Sequence, residues 1–232
     1  MMISPEGYYE EYLKGKNAAQ IMTAIRGLKK EMGRLKNTME HPDYNTKVAM
    51  CPSEDTQLWC TRLYLARAKE ALTAAGGKYT PSQSDLEADA FDASISAISK
   101  LTLSIGGFFG GHEIRTVTVA DGGVKLFKCH HFYPDEMAEV PQDIWPLETE
   151  DFLAGVRELH IGEWRRRYDL RRFGYIVLDG TQWELTIEFS DGHKKVTVYG
   201  DNAYPYNFHK LRELLGMLPY DEEKNFDDED ED

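Results

Sequence analysis

The feature that most constrains the fold of this chain is a strand pattern followed by a two-residue turn. From Trp183 to Phe189 apolar and polar residues alternate, which is the period of a strand with one buried face. Asp191-Gly192 comes next and suits a type I′ turn, because glycine tolerates the positive φ that such a turn requires. The alternation then resumes, so the sequence predicts a β-hairpin with strands over 181–190 and 193–199.

The turn determines which residues face each other across this hairpin. Apolar residues then meet on one face and polar residues on the other, and a shift by one residue would mix the two. The expected pairs are Ser190 with His193, Glu188 with Lys195, Ile187 with Val196, Thr186 with Thr197, and Leu185 with Val198. A second turn signal, Asp179-Gly180, predicts another strand over 173–178 and therefore a three-stranded meander.

A helix is predicted after the hairpin, and another before it. Asn207 can cap the later helix by accepting a hydrogen bond from its first turn. The apolar stripe of that helix consists of Phe208, Leu211, Leu214, Leu215 and Leu218. The earlier helix is expected to be capped by Thr149 and to bury Phe152, Val156 and Leu159.

Residues 1–78 carry the pattern of an antiparallel helical hairpin. Ser4-Pro5 starts a short helix, Asn17 and Gln20 suit a capping box, and Ser53 caps a third helix. Apolar residues recur on the two long helices at spacings of three and four, as in a heptad seam. They are Ile21, Ile25, Leu28, Met32, Leu35 and Met39 on the first, and Leu58, Thr61, Leu65, Ala68, Leu72 and Ala75 on the second. A second apolar edge on the latter helix, expected to dock elsewhere, comprises Trp59, Leu63 and Ala66.

The order of these patterns predicts an α+β fold. Residues 79–94 are polar and turn-rich, and we expect a linker with one helical turn; 95–220 form the α+β domain. Further strands are indicated by the alternation of Leu101, Leu103 and Ile105, by Val117 and Val119, and by Val124 to Phe132. Residues 133–147 hold three prolines and are expected to be irregular. We therefore predict an N-terminal antiparallel helical hairpin, a mostly antiparallel six-stranded sheet with two helices, and an acidic disordered tail over 221–232.

Charge is unevenly distributed along the chain. The 232 residues carry a net charge of −13, but residues 221–232 alone contribute −8 through nine acids and one lysine. Two zones are basic instead, with a net charge of +6 over 14–36 and +4 over 165–172. An acidic tail thus accompanies local positive surfaces.

Several observations limit the class of protein. No apolar run approaches the roughly 20 residues of a membrane helix, and the N-terminus lacks the pattern of a signal peptide, so a cytoplasmic protein is expected. Three cysteines argue against a disulfide framework. Cys129 and His131 share a strand face but lack a third catalytic group, and His41, Cys51 and Cys60 lack zinc spacing. We expect no enzymatic activity, no cofactor and no metal.

The strongest candidate site is the arginine-rich stretch WRRRYDLRR, from Trp164 to Arg172. Its arginines could bind phosphate or carboxylate groups while its aromatic residues stack on bases. Alternatively, the arginines pair with acids while Trp164 and Tyr168 enter the core. The candidate anion- or nucleic-acid-binding residues are Trp164, Arg165, Arg166, Arg167, Arg171 and Arg172, together with Lys29 and Lys30 on the basic face of helix 17–40.

Two further segments are candidates for binding a partner. Phe108 and Phe109 lie in GGFFGG between two strands, and because adjacent strand residues point to opposite faces, one of them could be an exposed anchor. Asn202, Tyr204 and Asn207 form a polar turn beside a helix N-terminus, which either holds an anion or satisfies its own backbone.

Three classes of function follow from these patterns. The first is a non-enzymatic protein–protein interaction module, an adaptor or inhibitor that acts through the helical hairpin and the sheet. The second is a nucleic-acid-binding accessory protein that uses Arg165–Arg172 and the basic helix. The third is an acidic mimic of nucleic acid that inhibits a DNA- or RNA-handling enzyme, as in the counter-defence of mobile elements. The heptad seams could also close between two chains, which would give a homodimer.

Overall fold

The computed structural model describes residues 3–46, 50–107, 110–130 and 133–217, with the side chains of 133–135 left aside. The chain forms two compact units, Met1–Ser82 and Gln83–Asp232. The first is helical, and the second combines a sheet with helices. This is the α+β architecture with N-terminal helices that the sequence predicts.

In the part of the first unit that the structure describes there are three α-helices and two short helical turns. They are α1 (Pro5–Tyr8), a π-helical turn (Tyr9–Leu13), α2 (Ala18–Met39), a 3-10 turn (Tyr44–Thr46) and α3 (Glu54–Ala74). The predicted starts are confirmed: the Ser4 hydroxyl accepts a hydrogen bond from the Gly7 amide, and Asn17 and Gln20 form a reciprocal capping box. The Ser53 hydroxyl likewise accepts a hydrogen bond from the third residue of α3.

The heptad seams of α2 and α3 form the core of this unit. One cluster of buried residues in this core consists of Leu13, Ile21, Ile25, Ala68, Ala71 and Leu72. Because the start of α2 packs against the end of α3, the two helices are antiparallel, as predicted. The N-terminal segment is fastened to α3 by Tyr64, whose hydroxyl donates a hydrogen bond of 2.6 Å to the Ile3 carbonyl and whose ring stacks on Tyr8.

Among its described residues, the second unit contains a mixed sheet of seven strands, one more than the sequence predicts. Its strands are β1 (Ile98–Gly107), β2 (Gly111–Ala120), β3 (Gly123–His130), β4 (Tyr133–Glu139), β5 (Arg167–Asp169), β6 (Thr181–Phe189) and β7 (Val196–Asp201), in the order β4-β3-β2-β1-β6-β7-β5. The helices are α4 (Gln83–Ser94), α5 (Thr149–Glu158) and α6 (Phe208–Leu214), with 3-10 turns at Ile95–Ala97, Ile161–Glu163 and Leu170–Phe173. All pairs are antiparallel except β5 with β7.

The predicted register of the hairpin is confirmed over its inner pairs. Ile187 opposes Val196, Thr186 opposes Thr197 and Leu185 opposes Val198. The ladder ends at Ile187–Val196, so the turn is a longer loop than predicted and the pairs nearest Asp191-Gly192 do not form. Glu188 instead opposes Lys100 of β1, at 3.8 Å between ammonium and carboxylate.

The predicted strand over 173–178 is wrong. These residues form no strand, and the edge of β6 that they were expected to occupy is taken by β1. The ten residues of β1 place Leu101 opposite Ile187 and Leu103 opposite Leu185, and all four side chains are fully buried. Such a long, alternating strand buries more apolar surface than a short segment that precedes a tight turn.

Four local predictions also differ from the structure. The strand β4 lies within the segment predicted to be irregular, and as an edge strand it tolerates Pro134 because one row of its backbone groups needs no partner. The helix α4 occupies most of the predicted linker 79–94. Glu148 rather than Thr149 is the N-cap residue of α5, and Asn207 sits at the N-cap of α6 without a capping bond.

An aromatic cluster forms one part of the core of the second unit. Trp183 packs on Phe208 and Tyr168, with ring centroids 4.7 and 5.8 Å apart, and its indole N–H donates to the Ala203 carbonyl at 2.9 Å. Gly200 lies opposite both Trp183 in β6 and Tyr168 in β5. A Cβ atom at Gly200 would overlap the indole of Trp183, so this position has room for glycine alone.

We predict that Gly200→Ala lowers the free energy of unfolding by about 1–3 kcal/mol, because the indole must move out of its packed position. Urea denaturation followed by Trp fluorescence measures the change. The matched control is Gly27→Ala in α2, where no atom lies within 4 Å of the added methyl group and stability should be unchanged or rise by up to about 1 kcal/mol. An unchanged urea midpoint for Gly200→Ala would contradict the prediction.

Candidate functional site

The arginine-rich stretch lies at one edge of the sheet. Its short strand β5 pairs in parallel with β7, which places Arg167 opposite Tyr199. Trp164 and Tyr168 are both buried, so neither aromatic ring is placed to stack on a base. The Tyr168 hydroxyl accepts a hydrogen bond of 3.0 Å from the amide of Arg165. The aromatic residues thus anchor the stretch, and the arginines remain outside.

Trp164 and Asn207, both candidate site residues, contact each other inside the protein. The indole N–H of Trp164 donates to Asn207 Oδ1 at 3.1 Å, and Asn207 Nδ2 donates to the Leu159 carbonyl at 2.9 Å. Only 2% of Asn207 is exposed. Buried polar groups cost free energy unless they are paired, and these two satisfy each other. Their placement is structural and joins the start of α6 to the end of α5.

The five arginines of the stretch are all exposed. They are Arg165, Arg166, Arg167, Arg171 and Arg172. Asp169 lies among them, with a carboxylate oxygen 3.9 Å from Arg171 Nε and another that accepts from the Arg171 amide at 2.9 Å. The Arg172 guanidinium stacks over the ring of Phe173 at 4.4 Å. The stretch therefore presents a positive surface beside strand β5.

The residues that follow the arginines form an exposed apolar segment instead of the predicted strand. The exposed fractions are 40% for Tyr175, 79% for Ile176, 44% for Val177 and 94% for Leu178. Four apolar residues in a row do not alternate as a strand with one buried face would. That lack of alternation was the signal in the sequence that these residues need a different explanation. We refer to Arg165–Leu178 as the edge segment.

The side chains of the polar turn after β7 contact other groups of the protein. Asn202 Oδ1 accepts from the Thr181 amide at 2.8 Å, and Asn202 Nδ2 donates to Asp201 at 2.7 Å. Asn202 has a φ of 51°, a left-handed conformation that asparagine tolerates better than most residues. The ring of Tyr204 packs on Trp183 and Phe208. These side chains hold the turn and the aromatic cluster.

Lys29 and Lys30 belong to the helical unit. Lys29 Nζ donates to the Tyr79 hydroxyl at 3.0 Å and to Ser82 Oγ at 3.2 Å, while Lys30 is exposed. On α3, Trp59 of the predicted apolar edge is 59% exposed. The helical unit therefore also presents both charged and apolar side chains at its surface.

Some candidates lie outside the described residues. The residues outside the described part include Phe108, Phe109, His131 and the acidic tail 221–232.

Burial raises the pKa of the Cys60 thiol, which makes this thiol a weaker nucleophile and metal ligand. Where the chain is described, no three His, Cys, Asp or Glu residues are grouped so that they could hold a metal ion, and no helix is long and apolar enough to cross a membrane.

Comparison with known proteins found no matching family model, no similar curated protein and no similar solved structure. The chemistry of the exposed surfaces therefore has to indicate the function. Among the described residues, the edge segment combines exposed positive charge with exposed apolar side chains in one continuous stretch of chain.

We predict that Asn207→Ala lowers the free energy of unfolding by about 1–3 kcal/mol, because it leaves the Trp164 indole N–H and the Leu159 carbonyl without their partner. Chemical denaturation measures the loss. His209→Ala, an exposed position two residues further along α6, is the matched control and should change stability by less than about 0.5 kcal/mol. Equal stability of the two variants would show that the Trp164–Asn207 contact contributes little.

Proposed function

We propose that this chain is a non-enzymatic protein-interaction module of the cytoplasm, an adaptor or inhibitor that binds a protein partner through its edge segment. The observation that carries the proposal is the exposure of four consecutive apolar residues, Tyr175–Leu178, which follow five exposed arginines and are separated from the last of them by Phe173 and Gly174. Scattered exposed apolar residues are common, but a continuous exposed group indicates an interaction site.

The composition of the edge segment matches that of protein interfaces. Arginine and tyrosine are enriched in them, and the centre of an interface is apolar with a polar rim. Tyr199 of β7 is also exposed and lies opposite Arg167, which extends the surface onto the sheet. A partner suited to this surface has an apolar cleft for Ile176 and Leu178, with carboxylates that face the arginines.

The edge segment is held at both ends. At its start, Trp164 just before it and Tyr168 within it are buried in the core. After it, Thr181 starts β6 and its amide donates to the side chain of Asn202. Within it, Gly174 adopts a φ of 83°, which permits the turn between the arginines and the apolar residues. A segment anchored in this way loses less conformational entropy on binding than a free one, which favours affinity.

We expect the double substitution Ile176→Ser and Leu178→Ser to weaken partner binding at least tenfold, because it removes the two most exposed apolar side chains of the segment. The measurement is capture of the partner from lysate of the cells that make this protein, with the partner identified by mass spectrometry and its affinity then determined with purified components. A second copy of the chain is one possible partner, and sedimentation analysis detects it.

The matched control for this experiment is Ile144→Ser, which removes an apolar side chain of similar exposure elsewhere in the same unit. It should leave both capture and affinity unchanged. Capture that survives the double substitution at Ile176 and Leu178 would refute the edge segment as the docking surface.

Binding of nucleic acid is a second candidate function, favoured by the exposure of all five arginines. Guanidinium groups contact phosphates and release counterions, so such binding weakens steeply with salt. The burial of Trp164 and Tyr168 removes the aromatic rings that would stack on bases, which is why we rank this function below protein binding.

If nucleic acid is bound, Arg165→Glu with Arg166→Glu should abolish retention on DNA or heparin at low salt, since it replaces two positive charges by two negative ones. Salt-gradient chromatography measures the retention. Lys194→Glu with Lys195→Glu is the matched control, because it makes the same change in net charge at exposed residues of the β6–β7 loop. Absence of retention for the unmodified protein at low salt would exclude this function.

A further inference from the structure

The described part of the chain ends close to the arginines of the edge segment. Asn207, at the start of α6, accepts a hydrogen bond of 3.1 Å from the indole of Trp164, the residue that precedes these arginines. At the other end of α6, the amide of Met217 donates to the Arg212 carbonyl at 2.9 Å, so the chain folds back onto the helix. Met217 is buried and therefore held in place. It lies within about 15 Å of Asn207, given the rise of an α-helix.

The residues that follow Met217 are long enough to return to the arginines. Residues 218–232 can span about 50 Å when extended, and the ten residues from Met217 to Asp227 alone can span about 35 Å. Six consecutive acids, Asp227–Asp232, end the chain. The acidic tail 221–232 carries a net charge of −8, against +4 for residues 165–172. Both length and charge thus allow the acids to meet the arginines.

Two adjacent arginines of the edge segment are available to an acidic ligand. Arg166 and Arg167 are exposed, and in the part of the chain that the structure describes their guanidinium groups form no hydrogen bond or ion pair. Their backbone is held at the sheet edge, because the Arg166 carbonyl accepts from the Tyr199 amide at 3.1 Å and Arg167 pairs with Tyr199. An ion pair formed here orders only side chains, which lowers its entropic cost.

The order of residues along the edge segment and along the tail is complementary. In the edge segment the arginines come first and the apolar residues Tyr175–Leu178 follow. In the tail Phe226 comes first and the acids 227–232 follow. An antiparallel alignment therefore places Phe226 beside the apolar residues and the acids beside the arginines. Single exposed ion pairs contribute little, but several that share one ordered segment contribute more.

Attachment to the same chain favours the tail over other acidic ligands. A short linker gives a tethered ligand an effective concentration in the millimolar range. A free anion must reach a comparable concentration before it competes.

We propose that the acidic tail 221–232 covers the arginines of the edge segment in the same molecule and competes with the protein partner for them. A partner that supplies both carboxylates and an apolar cleft displaces the tail, whereas a weakly acidic protein does not. The displacement rests on the function proposed above, but the contact between tail and arginines does not require a partner.

The first test compares the unmodified chain with a full-length amide-tail variant, in which each Asp and Glu of 227–232 is replaced by Asn or Gln. In NMR spectra at low salt, the backbone and Nε–H resonances of Arg166 and Arg167 should differ between the two proteins. The difference should vanish near 0.5 M salt, where the Debye length falls to about 4 Å. The amide resonances of Lys30 and Lys194, exposed cations outside the edge segment, are the control and should not move.

The second test uses a hexaglutamate peptide as the probe of uncovered arginines. The amide-tail variant should bind the peptide at least fivefold more tightly than the unmodified chain does, as measured by calorimetry. Adding Arg166→Gln and Arg167→Gln to this variant should remove most of the gain. Adding Lys194→Gln and Lys195→Gln instead, an equal change in net charge at exposed positions, should leave the affinity within twofold.

Three results would overturn the proposal. One is the same arginine resonances in the unmodified and amide-tail proteins. Another is loss of their difference on dilution, because the tail would then bind a second copy. The last is an equal effect of the arginine and lysine pairs on peptide binding, since overall charge alone would then account for it. Neither test contains the protein partner, so failure to capture a partner leaves the tail contact standing, and a refuted contact leaves the apolar docking surface standing.

Discussion

Burial of the apolar face of the β1–β6 strand pair organises the second unit. Leu101 and Leu103 of β1 lie opposite Ile187 and Leu185 of β6, and none of the four is accessible to water. The row continues into Val198 of β7 and Val117 of β2. Because apolar burial is the largest favourable term in folding, this pairing decides which strands are central and which lie at the edges.

The position of the edge segment is a consequence of that pairing. Once β1 occupies the edge of β6, the residues 175–178 have no strand position beside β6 and remain outside the sheet. Their side chains would be a liability on a protein that acts alone, since exposed apolar segments promote association. A partner that covers them, attracted by the neighbouring arginines, offers a physical reason for their exposure.

The structure of the helical unit follows from patterns that are local in the sequence. Its helices start at Ser4, Asn17 and Ser53, each with a side chain that accepts a backbone hydrogen bond. The core of this unit follows the three-and-four spacing of its apolar residues. The helix α2 therefore has one buried face, with Ile21 and Ile25, and one exposed face.

The sequence by itself determined the features that depend on near neighbours along the chain. These are the caps of α1 and α2, the heptad seams, the register of Ile187 with Val196, and the apolar face of α5. Each follows from spacing and turn chemistry within a few residues. The exposure of the five arginines and the burial of Trp164 beside them could not be predicted in the same way. The sequence is equally compatible with arginines that bind an anion and with arginines that pair with acids of the protein.

Only the tertiary structure decided which strand pairs with β6 and where Asn207 directs its side chain. These depend on segments far apart in the chain that compete for the same partner. A local turn signal at Asp179-Gly180 favoured one strand, but the longer apolar face of β1 buries more surface and excludes it. The total free energy of packing decides this competition, and it depends on residues that are far apart in the sequence.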